Sequence, residues 1–387
     1  DLYNVLADNG HECCIAYGRG EAPASIDSYK IGNKIDVYYH AIMTRITDKH
    51  GLYSSSATRS LINKITEYGP DIIHLHNIHG YYVNYQILFR FLKSYNKPVI
   101  WTLHDCWPFT GHCAYFDYAA CAKWQSGCFD CPQRNSYPES LVSDNSRNNY
   151  ILKKQLFTSI NEMTLVAPSR WLAELINKSF FQGFNVKVIN NGIDLAAFKP
   201  MDTASCRDKY NIKDKFVILG VASVWTERKG LRYFLKLSEL IDSNNATIIL
   251  VGLNNKQIAG LPPNIIGITR TNNVGELAEL YSAADVFINP TLEDNFPTTN
   301  LEALACDTPV ITFNTGGSPE CIDEHCGRVL EKGDLHGIVS IIRDMENGDA
   351  VFNACRKTAL KYDKKDRFYE YLKLYEQSVR NMSDGTY

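Results

Sequence analysis

Two carboxylates and a pair of glycines in the C-terminal half combine groups that bind hydroxyls with groups that bind phosphate. Asp294 and Glu302 have seven residues between them, the first in a predicted turn and the second in a predicted short helix. Ionised carboxylates accept hydrogen bonds, so we expect one to bind hydroxyls of a sugar ring and the other a ribose diol. Backbone N–H groups near Thr298, at the helix start, and in the turn at Gly316 and Gly317 favour a diphosphate. The segment therefore predicts a site for an activated sugar.

The stretch from 285 to 320 resembles the acidic-x7-Glu signature of glycosyltransferase family 4, the retaining nucleotide-sugar transferases of GT-B fold. In that family the usual pattern is Glu-x7-Glu followed by Ala-x-x-x-Gly-x-Pro-Val. Here the first acid falls on Asp294 with Glu293 beside it, and Asp307 stands in the usual glycine position. The resemblance implies that Glu302 and either Glu293 or Asp294 bind the donor. Four further residues of the turn join the predicted substrate-binding set: Asn295, Phe296, Pro297 and Thr298.

Length and composition set the broad class of the protein. A chain of 387 residues is too long for one ordinary core, so two domains of roughly 150 to 200 residues are expected. The hydrophobic content of 45% and the charged content of 21% are typical of a soluble globular protein. The net charge of −3 gives no nucleic-acid footprint, and neither a secretory leader nor a membrane-spanning run is recognisable. We therefore expect a cytoplasmic protein that binds no nucleic acid.

Strand-like apolar runs alternate with helical ones, a pattern typical of parallel sheets covered on both faces. The runs lie near 71–76, 98–103, 163–167 and 186–189 in the first half, and near 216–221, 247–251, 285–288 and 309–312 in the second. They predict an α/β protein with two Rossmann-like domains, and the resemblance implies that the domains face each other across a cleft. Turn residues cluster after residue 190, so the predicted domains are 1–195 and 196–365. The resemblance implies that a last helix, 366–387, crosses back to the first domain.

The beginning of the sequence has an unusual pattern for the resembled family. Residues 1–12 are typical of the second half of an amphipathic helix closed by Gly10, and a strand is predicted from Cys13 to Tyr17. In the family, a first strand and a glycine-rich turn precede that helix and lie against the donor diphosphate. We therefore expect an N-terminally truncated chain.

Histidines follow two predicted strands of the first domain. His104 comes directly after the strand that ends at Leu103, where the resembled family has a histidine that contacts the donor sugar near the reacting carbon. Either tautomer of a neutral histidine can bind a sugar hydroxyl there. His74, His76 and His79 form a His-x-His-x2-His pattern that could ligate a metal. A strand end that is buried, or that lines the cleft and touches the acceptor, is the favoured interpretation of that pattern.

A basic pair follows the first strand of the second domain. The family pattern at this place is Gly-Arg-x4-Lys-Gly, and here the arginine position falls on Ser223 or Val224, whereas Lys229 is retained beside Arg228. We assign the charge of the leaving diphosphate chiefly to Lys229, with Arg228 as a substitute, because both cation types bind phosphate. Selectivity for the base is expected near Asn254, after the next strand.

Four of the twelve cysteines lie close together in the sequence, with the spacing Cys-x7-Cys-x6-Cys-x2-Cys. They occupy a predicted insertion, 106–132, that has little aliphatic content: Cys113, Cys121, Cys128 and Cys131. Four thiolates on one structural zinc ion would organise such a loop. Two other arrangements stay open, reduced cysteines packed in a core and an oxidised pair.

No Asp-x-Asp pattern occurs in the sequence, so a divalent-metal clamp for the diphosphate has no candidate ligands. We expect catalysis without a cofactor, in which Lys229, Arg228 and backbone N–H groups near Gly316 stabilise the departing nucleoside diphosphate. The resemblance implies retention of anomeric configuration. A nucleotide-sugar 2-epimerase of GT-B layout and a non-catalytic nucleotide-sugar-binding protein are the alternatives. A nicotinamide dehydrogenase is disfavoured, since no Gly-x-Gly-x2-Gly follows an early strand.

The expected partners are a nucleoside-diphosphate sugar and a saccharide or polyprenyl-linked acceptor. The form of the acidic motif, with Asn295 and Pro297, resembles that of bacterial transferases that build surface polysaccharide. This resemblance implies a lipid-linked acceptor and peripheral contact with the inner membrane face. Phe180 and Phe181, close to Lys178, are candidates for that contact, and packing of a helix end in the core explains them equally well.

Overall fold

A division at Asn190 separates the chain into two units, each built around its own parallel sheet. The computed structural model describes residues 1–384. The N-terminal unit contains Asp1–Ile189 and the chain from Phe368 onward, and the C-terminal unit contains Asn190–Arg367. Both units alternate strands with helices, so the observed fold class is the α/β class that the sequence predicts.

Among its described residues, the N-terminal unit has six parallel strands in two sheets. They are β1 (Ile15–Tyr17), β2 (Ser28–Lys30), β3 (Ile73–His76), β4 (Val99–Thr102), β5 (Met163–Ala167) and β6 (Asn185–Val188). The main sheet has the order β3-β4-β5-β6, and β1 pairs separately with β2. β4 and β5 are buried along their whole length, because both faces of a parallel sheet are covered.

Six helices lie in the first segment of this unit, Asp1–Ile189. They are α1 (Leu2–Asp8), α2 (Lys34–Thr47), α3 (Ser55–Tyr68), α4 (Tyr85–Tyr95), α5 (Ser146–Phe157) and α6 (Arg170–Lys178). Polar residues ahead of several of them cap the first turn, which explains where they begin. Asn33 and Asp36 form a capping box at α2, and Ser169 accepts a hydrogen bond from the Leu172 N–H at α6.

The C-terminal unit has one six-stranded parallel sheet. Its strands are β7 (Phe216–Val221), β8 (Ala246–Val251), β9 (Ile265–Ile268), β10 (Val286–Asn289), β11 (Val310–Phe313) and β12 (Gly327–Leu330). The helices that follow in the chain are α7 (Ala204–Lys209), α8 (Leu231–Leu237), α9 (Asn255–Ala259), α10 (Val274–Ala283), α11 (Thr298–Ala305), α12 (Leu335–Glu346), α13 (Cys355–Ala359) and α14 (Lys364–Ser383). From Phe368 onward, α14 belongs to the N-terminal unit.

The strand order of the C-terminal sheet reverses direction between β7 and β10. The order is β12-β11-β10-β7-β8-β9, so the chain runs from β7 outward to β9 and then returns to the other side of β7. The loops that follow β7 and β10 therefore leave the same edge of the sheet in opposite directions. In open α/β sheets such a switch point forms a crevice where ligands bind.

One face of β3 is covered by the last helix. Tyr371 and Tyr375 of α14 pack in a cluster with Ile100 of β4 and Val166 of β5. His74 packs against both tyrosine rings, at centroid distances of 5.4 and 5.5 Å. Because side chains two apart on a strand share a face, His76 lies on the same side of the sheet as His74.

The eight apolar runs predicted as strands of the two sheets are all strands, with ends that match or differ by at most two residues. β2, β9 and β12 lie outside the predicted runs. Gly267 interrupts β9, Arg328 interrupts β12, and β2 has only three residues, so none of them shows a continuous apolar run. The strand expected from Cys13 begins at Ile15.

Candidate functional site

An ion pair joins two loops at the switch point of the C-terminal sheet. Lys229 ends a short 3-10 turn in the loop after β7, and Asp294 lies in the acidic turn after β10. The Lys229 Nζ atom is 2.6 Å from the Asp294 Oδ2 atom, and the two side chains are 24% and 14% exposed. A cation and a carboxylate are therefore held together at the edge where a parallel sheet binds ligands.

Arg228 ties the same two loops together through the main chain. Its NH1 atom donates to the Glu293 carbonyl at 3.0 Å, and its own carbonyl accepts from the Leu292 N–H at 2.8 Å. The Thr291 hydroxyl donates to the Glu293 carbonyl as well, at 3.1 Å. The guanidinium thus holds the acidic turn in place, while Lys229 pairs with the carboxylate of that turn.

Two glycines allow main-chain contacts that no other residue would permit. At Gly230 (φ +80°) an added Cβ atom would lie 2.2 Å from the Pro290 carbonyl oxygen. At Gly316 (φ +56°) it would lie 1.7 Å from the Asp294 carbonyl oxygen. Both positions also need a left-handed backbone, which glycine adopts without strain. The loops after β7, β10 and β11 therefore contact one another directly.

A buried polar network holds the glycine turn against α11. Asn300 donates through Nδ2 to the Ser318 hydroxyl at 3.0 Å and accepts from the Asn289 amide at 2.8 Å. The hydroxyls of Thr312 and Ser318 are 2.7 Å apart. Sequence reasoning did not select these residues, although polar side chains inside apolar stretches are a signal that could have identified them. Their hydrogen bonds fix the position of Gly316 and Gly317 relative to the helix.

Glu302 lies on α11 and makes its own set of contacts. Its Oε2 atom accepts from the Tyr281 hydroxyl at 2.9 Å, and the Thr298 side chain is a second hydrogen-bond partner. Burial raises the pKa of Glu302, and these two hydrogen bonds lower it in part. The carboxylate is thus bonded to Tyr281 and Thr298, and not to Lys229 or Asp294.

The other predicted substrate-binding residues have different environments. Glu293 and Asn295 are buried, and the Phe296 ring packs in the core at a centroid distance of 5.8 Å from that of Tyr362. Pro297 precedes α11, which begins with the exposed Thr298. Asn254 follows β8, and its side chain caps α9 by accepting from the Gln257 N–H at 2.9 Å. The turn residues therefore surround Asp294, whereas Asn254 lies on a neighbouring loop.

His104 belongs to the N-terminal unit and follows β4. Its Nε2 atom is 3.0 Å from the Nδ1 atom of His76, which ends the neighbouring strand β3. Burial lowers the pKa of His104, although the adjacent Asp105 carboxylate opposes this effect. Asp105 itself accepts hydrogen bonds from the His79 ring at 3.0 Å and from the Trp107 N–H at 2.9 Å. His79 is therefore paired with Asp105 and is not part of the contact to His104.

The four clustered cysteines line one small cavity of about 10 Å³ in the N-terminal unit, together with Phe116 and Trp124. A hydrogen bond from the Cys113 thiol lowers the pKa of Cys131 to about 7, whereas burial raises the pKa of Cys128 to about 11. Across residues 1–384, no group of three or more His, Cys, Asp or Glu side chains is placed to hold a metal ion. Structural zinc on Cys113, Cys121, Cys128 and Cys131 therefore stays a prediction.

Two family models match the chain. The model described as Glycosyltransferase Family 4 matches residues 1–197, and the model described as Glycosyl transferases group 1 matches residues 215–347. The first covers just over half of the 387 residues. The chain therefore belongs to glycosyltransferase family 4, and it is a glycosyltransferase.

Curated relatives act in surface and lipid-linked saccharide synthesis. The "Putative colanic acid biosynthesis glycosyl transferase WcaC" of Escherichia coli strain K12 is 25% identical over 80% of this chain and 76% of its own length. The N,N'-diacetylbacillosaminyl-diphospho-undecaprenol alpha-1,3-N-acetylgalactosaminyltransferase of Campylobacter jejuni is 25% identical over 49% of this chain and 54% of its own. Nothing in these comparisons favours the epimerase alternative.

Solved structures establish the GT-B fold. Sucrose-phosphate synthase from Thermosynechococcus elongatus superposes with a TM-score of 0.70 at 15% identity, over 97% of this chain and 91% of its own. Anabaena HepE, solved in complex with UDP, superposes with a TM-score of 0.63 at 16% identity, over 86% of this chain and 85% of its own. At such low identity the likeness concerns the fold alone.

Proposed function

We propose that this glycosyltransferase moves a sugar from a nucleoside-diphosphate sugar to a hydroxyl of a saccharide or lipid-linked saccharide, with retention and without a divalent metal. The observation that carries the proposal is the Lys229–Asp294 ion pair at the switch point of the C-terminal sheet. In the proposal, Lys229 supplies the cation for phosphate and Asp294 supplies the carboxylate for sugar hydroxyls. The Anabaena structure named with UDP and the Campylobacter relative named with a diphospho-undecaprenol substrate support a donor and an acceptor of these kinds.

Lys229 is the proposed partner of the departing diphosphate. Asp294 balances its charge at 2.6 Å, and a diphosphate carries more negative charge than one carboxylate. Binding of the donor would therefore draw the lysine toward the phosphate and release the carboxylate to accept from sugar hydroxyls. Gly316 lies against the acidic turn, and the backbone N–H groups of Gly316 and Gly317 would add donors for the phosphate oxygens.

Glu302 and His104 have proposed roles that follow from the family resemblance. Glu302 would accept from the ribose diol, which requires the ionised carboxylate. Its present partners, Tyr281 and Thr298, hold the carboxylate in one orientation. His104 would contact the donor sugar near the reacting carbon. Neither role rests on a contact between these two residues.

Release of nucleoside diphosphate in the presence of acceptor tests the transfer. We expect the wild-type protein to release nucleoside diphosphate only when acceptor is added. An epimerase would convert the donor without an acceptor, and a binding protein would release no nucleoside diphosphate. Lys229→Ala should lower kcat/KM on the order of 100-fold or more, the usual effect of removing a group that stabilises transition-state charge. Lys209→Ala is the matched control, because Lys209 forms an ion pair of 2.7 Å with Glu276 in the same unit. Equal activity of both variants would reject the site.

Stereochemistry and metal dependence need separate readouts. Proton NMR of the product reads the anomeric configuration directly, and we expect the configuration of the donor to be kept. Assays in excess chelator read the metal dependence, and we expect activity to persist because cationic side chains would stabilise the leaving group. An inverted product, or activity restored only by a divalent ion, would overturn the corresponding part of the proposal.

The proposed membrane contact has support from an exposed apolar stripe on α2. Its members recur at helical spacing and are 78%, 69%, 54%, 55% and 45% exposed: Ile35, Tyr38, Tyr39, Ile42 and Ile46. Such a face favours peripheral insertion between lipid headgroups. Phe181 is fully buried, so the sequence-based suggestion of lipid contact by Phe180 and Phe181 is wrong for Phe181. Within residues 1–384, no helix has the length and apolar content needed to cross a bilayer.

Vesicle binding tests the apolar stripe of α2. We expect Ile42→Glu to weaken co-sedimentation with vesicles of mixed anionic and zwitterionic phospholipid, because a carboxylate would enter the apolar boundary. Val351→Glu is the control, since Val351 is 73% exposed in the C-terminal unit. Equal binding by the two variants would remove the stripe from the proposal.

A further inference from the structure

A chain of hydrogen bonds runs through three histidines of the N-terminal unit. The His104 Nε2 atom is 3.0 Å from the His76 Nδ1 atom, and the His76 Nε2 atom is 3.3 Å from the His74 Nδ1 atom. The His76 and His104 rings stack at a centroid distance of 5.3 Å, and the His74 and His76 rings are tilted by 45° at a centroid distance of 4.0 Å. Both ring nitrogens of His76 are therefore used within the chain.

The far end of the chain is anchored by the last helix. The His74 Nε2 atom is 2.8 Å from the Thr102 hydroxyl, which is 3.1 Å from the Tyr371 hydroxyl. The Tyr375 hydroxyl also hydrogen-bonds to the Nδ1 atom of His74. Tyr371, Tyr375 and Thr102 are buried, so His74 is held from two sides.

The geometry of the sheet explains why these side chains meet. His74 and His76 lie two apart on β3 and share one face. His76 is opposite Thr102 in the parallel register, so His104 follows at the carboxyl edge of the neighbouring strand. The chain of contacts thus runs along β3 from the covered part of the sheet to its edge.

The neutral form is favoured for each histidine ring of the chain. Burial lowers the pKa of His74 well below its ordinary value, and it lowers the pKa of His76 to about 4, with His104 adding to the effect. Burial lowers the pKa of His104 as well. A neutral imidazole has one N–H and one acceptor nitrogen, so each contact needs a donor facing an acceptor. Placing the proton on one ring nitrogen of His76 therefore fixes which nitrogen of His104 carries its proton.

We propose that His76 is a positioning residue that fixes the ring orientation and the tautomer of His104, and that His74 and the two tyrosines of α14 hold His76 in turn. The inference rests on the proposed function, in which His104 contacts the donor sugar. In that role the sugar meets a nitrogen of one defined kind, either donor or acceptor. His76 touches neither substrate nor reacting atoms in this account and acts only through His104.

Loss of the positioning contact should affect turnover more than donor binding. A histidine that rotates or exchanges tautomers still fits the site but spends less time in the productive arrangement. We therefore expect kcat to fall on the order of 10-fold while KM for the donor changes little, the pattern of an interaction that matters in the transition state.

Two amide substitutions at His76 separate its two contacts. The side-chain amide of His76→Asn reaches the position of Nδ1 and can restore the contact to His104. The longer amide of His76→Gln reaches the position of Nε2 and can restore only the contact to His74. We expect kcat of His76→Asn to stay within about threefold of wild type, whereas His76→Gln and His76→Ala lose about 10-fold. Equal kcat for the Asn and Gln variants would overturn the proposal.

A double-mutant cycle adds a second criterion. If His76 acts only through His104, changing it to Ala in a His104→Ala background should cause no further loss of kcat. Losses that multiply would overturn the proposal. If the wild type transfers sugar and His104→Ala is inactive, a fully active His76→Ala variant would reject the positioning role and leave the proposed function standing. Absence of transfer in the wild type would instead reject the proposed function.

The tautomer can be read without any turnover. Long-range proton–nitrogen NMR of histidine-labelled protein shows which ring nitrogen carries the proton. We expect one tautomer of His104 in the wild type and in His76→Asn, and a mixture of tautomers in His76→Gln and His76→Ala. Identical His104 signals in all four proteins would overturn the inference whether or not transfer is observed. Thermal melts by circular dichroism confirm that each variant is folded.

Discussion

Substitution of Gly316 by alanine should damage both stability and transfer, because the glycine turn touches the acidic turn through main-chain atoms. The added Cβ atom would lie 1.7 Å from the Asp294 carbonyl oxygen, and the backbone has φ +56°. A left-handed backbone costs an ordinary residue about 1–2 kcal/mol, and forcing atoms into a packed region costs about 1–3 kcal/mol more. The total expected loss in the free energy of unfolding is therefore about 2–5 kcal/mol.

Gly348→Ala is the matched control for this experiment. Gly348 has φ +79° in the same unit, and an added Cβ atom would meet nothing within 4 Å. Only the backbone cost of about 1–2 kcal/mol should then apply. Urea denaturation followed by circular dichroism compares the midpoints of the two variants.

Transfer provides the second readout for Gly316→Ala. If the glycine turn moves away from Asp294 by about 1 Å, the backbone donors for the diphosphate are misplaced and kcat/KM should fall on the order of 100-fold. Gly348→Ala should keep its activity. Equal midpoints for the two variants, with normal transfer in both, would refute the reasoning that the two turns depend on direct contact.

Three other predictions concern the network, the buried glutamate and the cysteines. Asn300→Ala should lower the free energy of unfolding by about 1–3 kcal/mol, since it leaves buried polar groups without partners, whereas the exposed Asn244→Ala should change it little in the same urea titration. Burial raises the pKa of Glu302 and the hydrogen bond from the Tyr281 hydroxyl lowers it, so Tyr281→Phe should raise that pKa further. Donor affinity needs the ionised carboxylate, so on acidification the affinity of Tyr281→Phe should begin to fall at a higher pH than that of the wild type. An unchanged pH profile of donor affinity would contradict this prediction. For the predicted zinc, elemental analysis should give about one zinc per chain if four thiolates share one ion. A zinc content far below one per chain would reject the zinc site and favour cysteines packed without metal in the insertion.

The sheets could be predicted because the information is local. Strands such as β5 and β8 are buried on both faces, so their sequences are continuous apolar runs that stand out from the surrounding polar residues. β9 and β12 contain Gly267 and Arg328, and their strand structure depends on pairing with β8 and β11. A single-sequence pattern does not contain that pairing.

The sequence indicated which residues could form the candidate site, but it did not indicate the contacts between them. Lys229 and Asp294 were selected separately, and nothing in either segment shows that they meet across 65 residues of sequence. The same holds for Gly316, whose φ and contact with Asp294 depend on how β10 and β11 are paired. Glu302 was selected as a donor-binding carboxylate on a short helix, but its hydrogen bond to Tyr281 depends on the packing of α10 against α11.

The histidines and cysteines show the same limit in the other unit. The His-x-His-x2-His pattern suggests a trio, yet the structure pairs His79 with Asp105 and joins His74 and His76 to His104. Clustered cysteines suggest a common ligand, but sequence spacing does not fix the distance between sulfur atoms in an irregular loop. Contacts of this kind arise from tertiary packing, which local spacing does not determine.

The direct contacts of Gly230 with Pro290 and of Gly316 with Asp294 have a consequence for redesign of sugar selectivity. Segments that touch through main-chain atoms must keep their lengths and conformations together, so grafting any one of them from a homologue would disturb the other two. A chimera should exchange all three as a set.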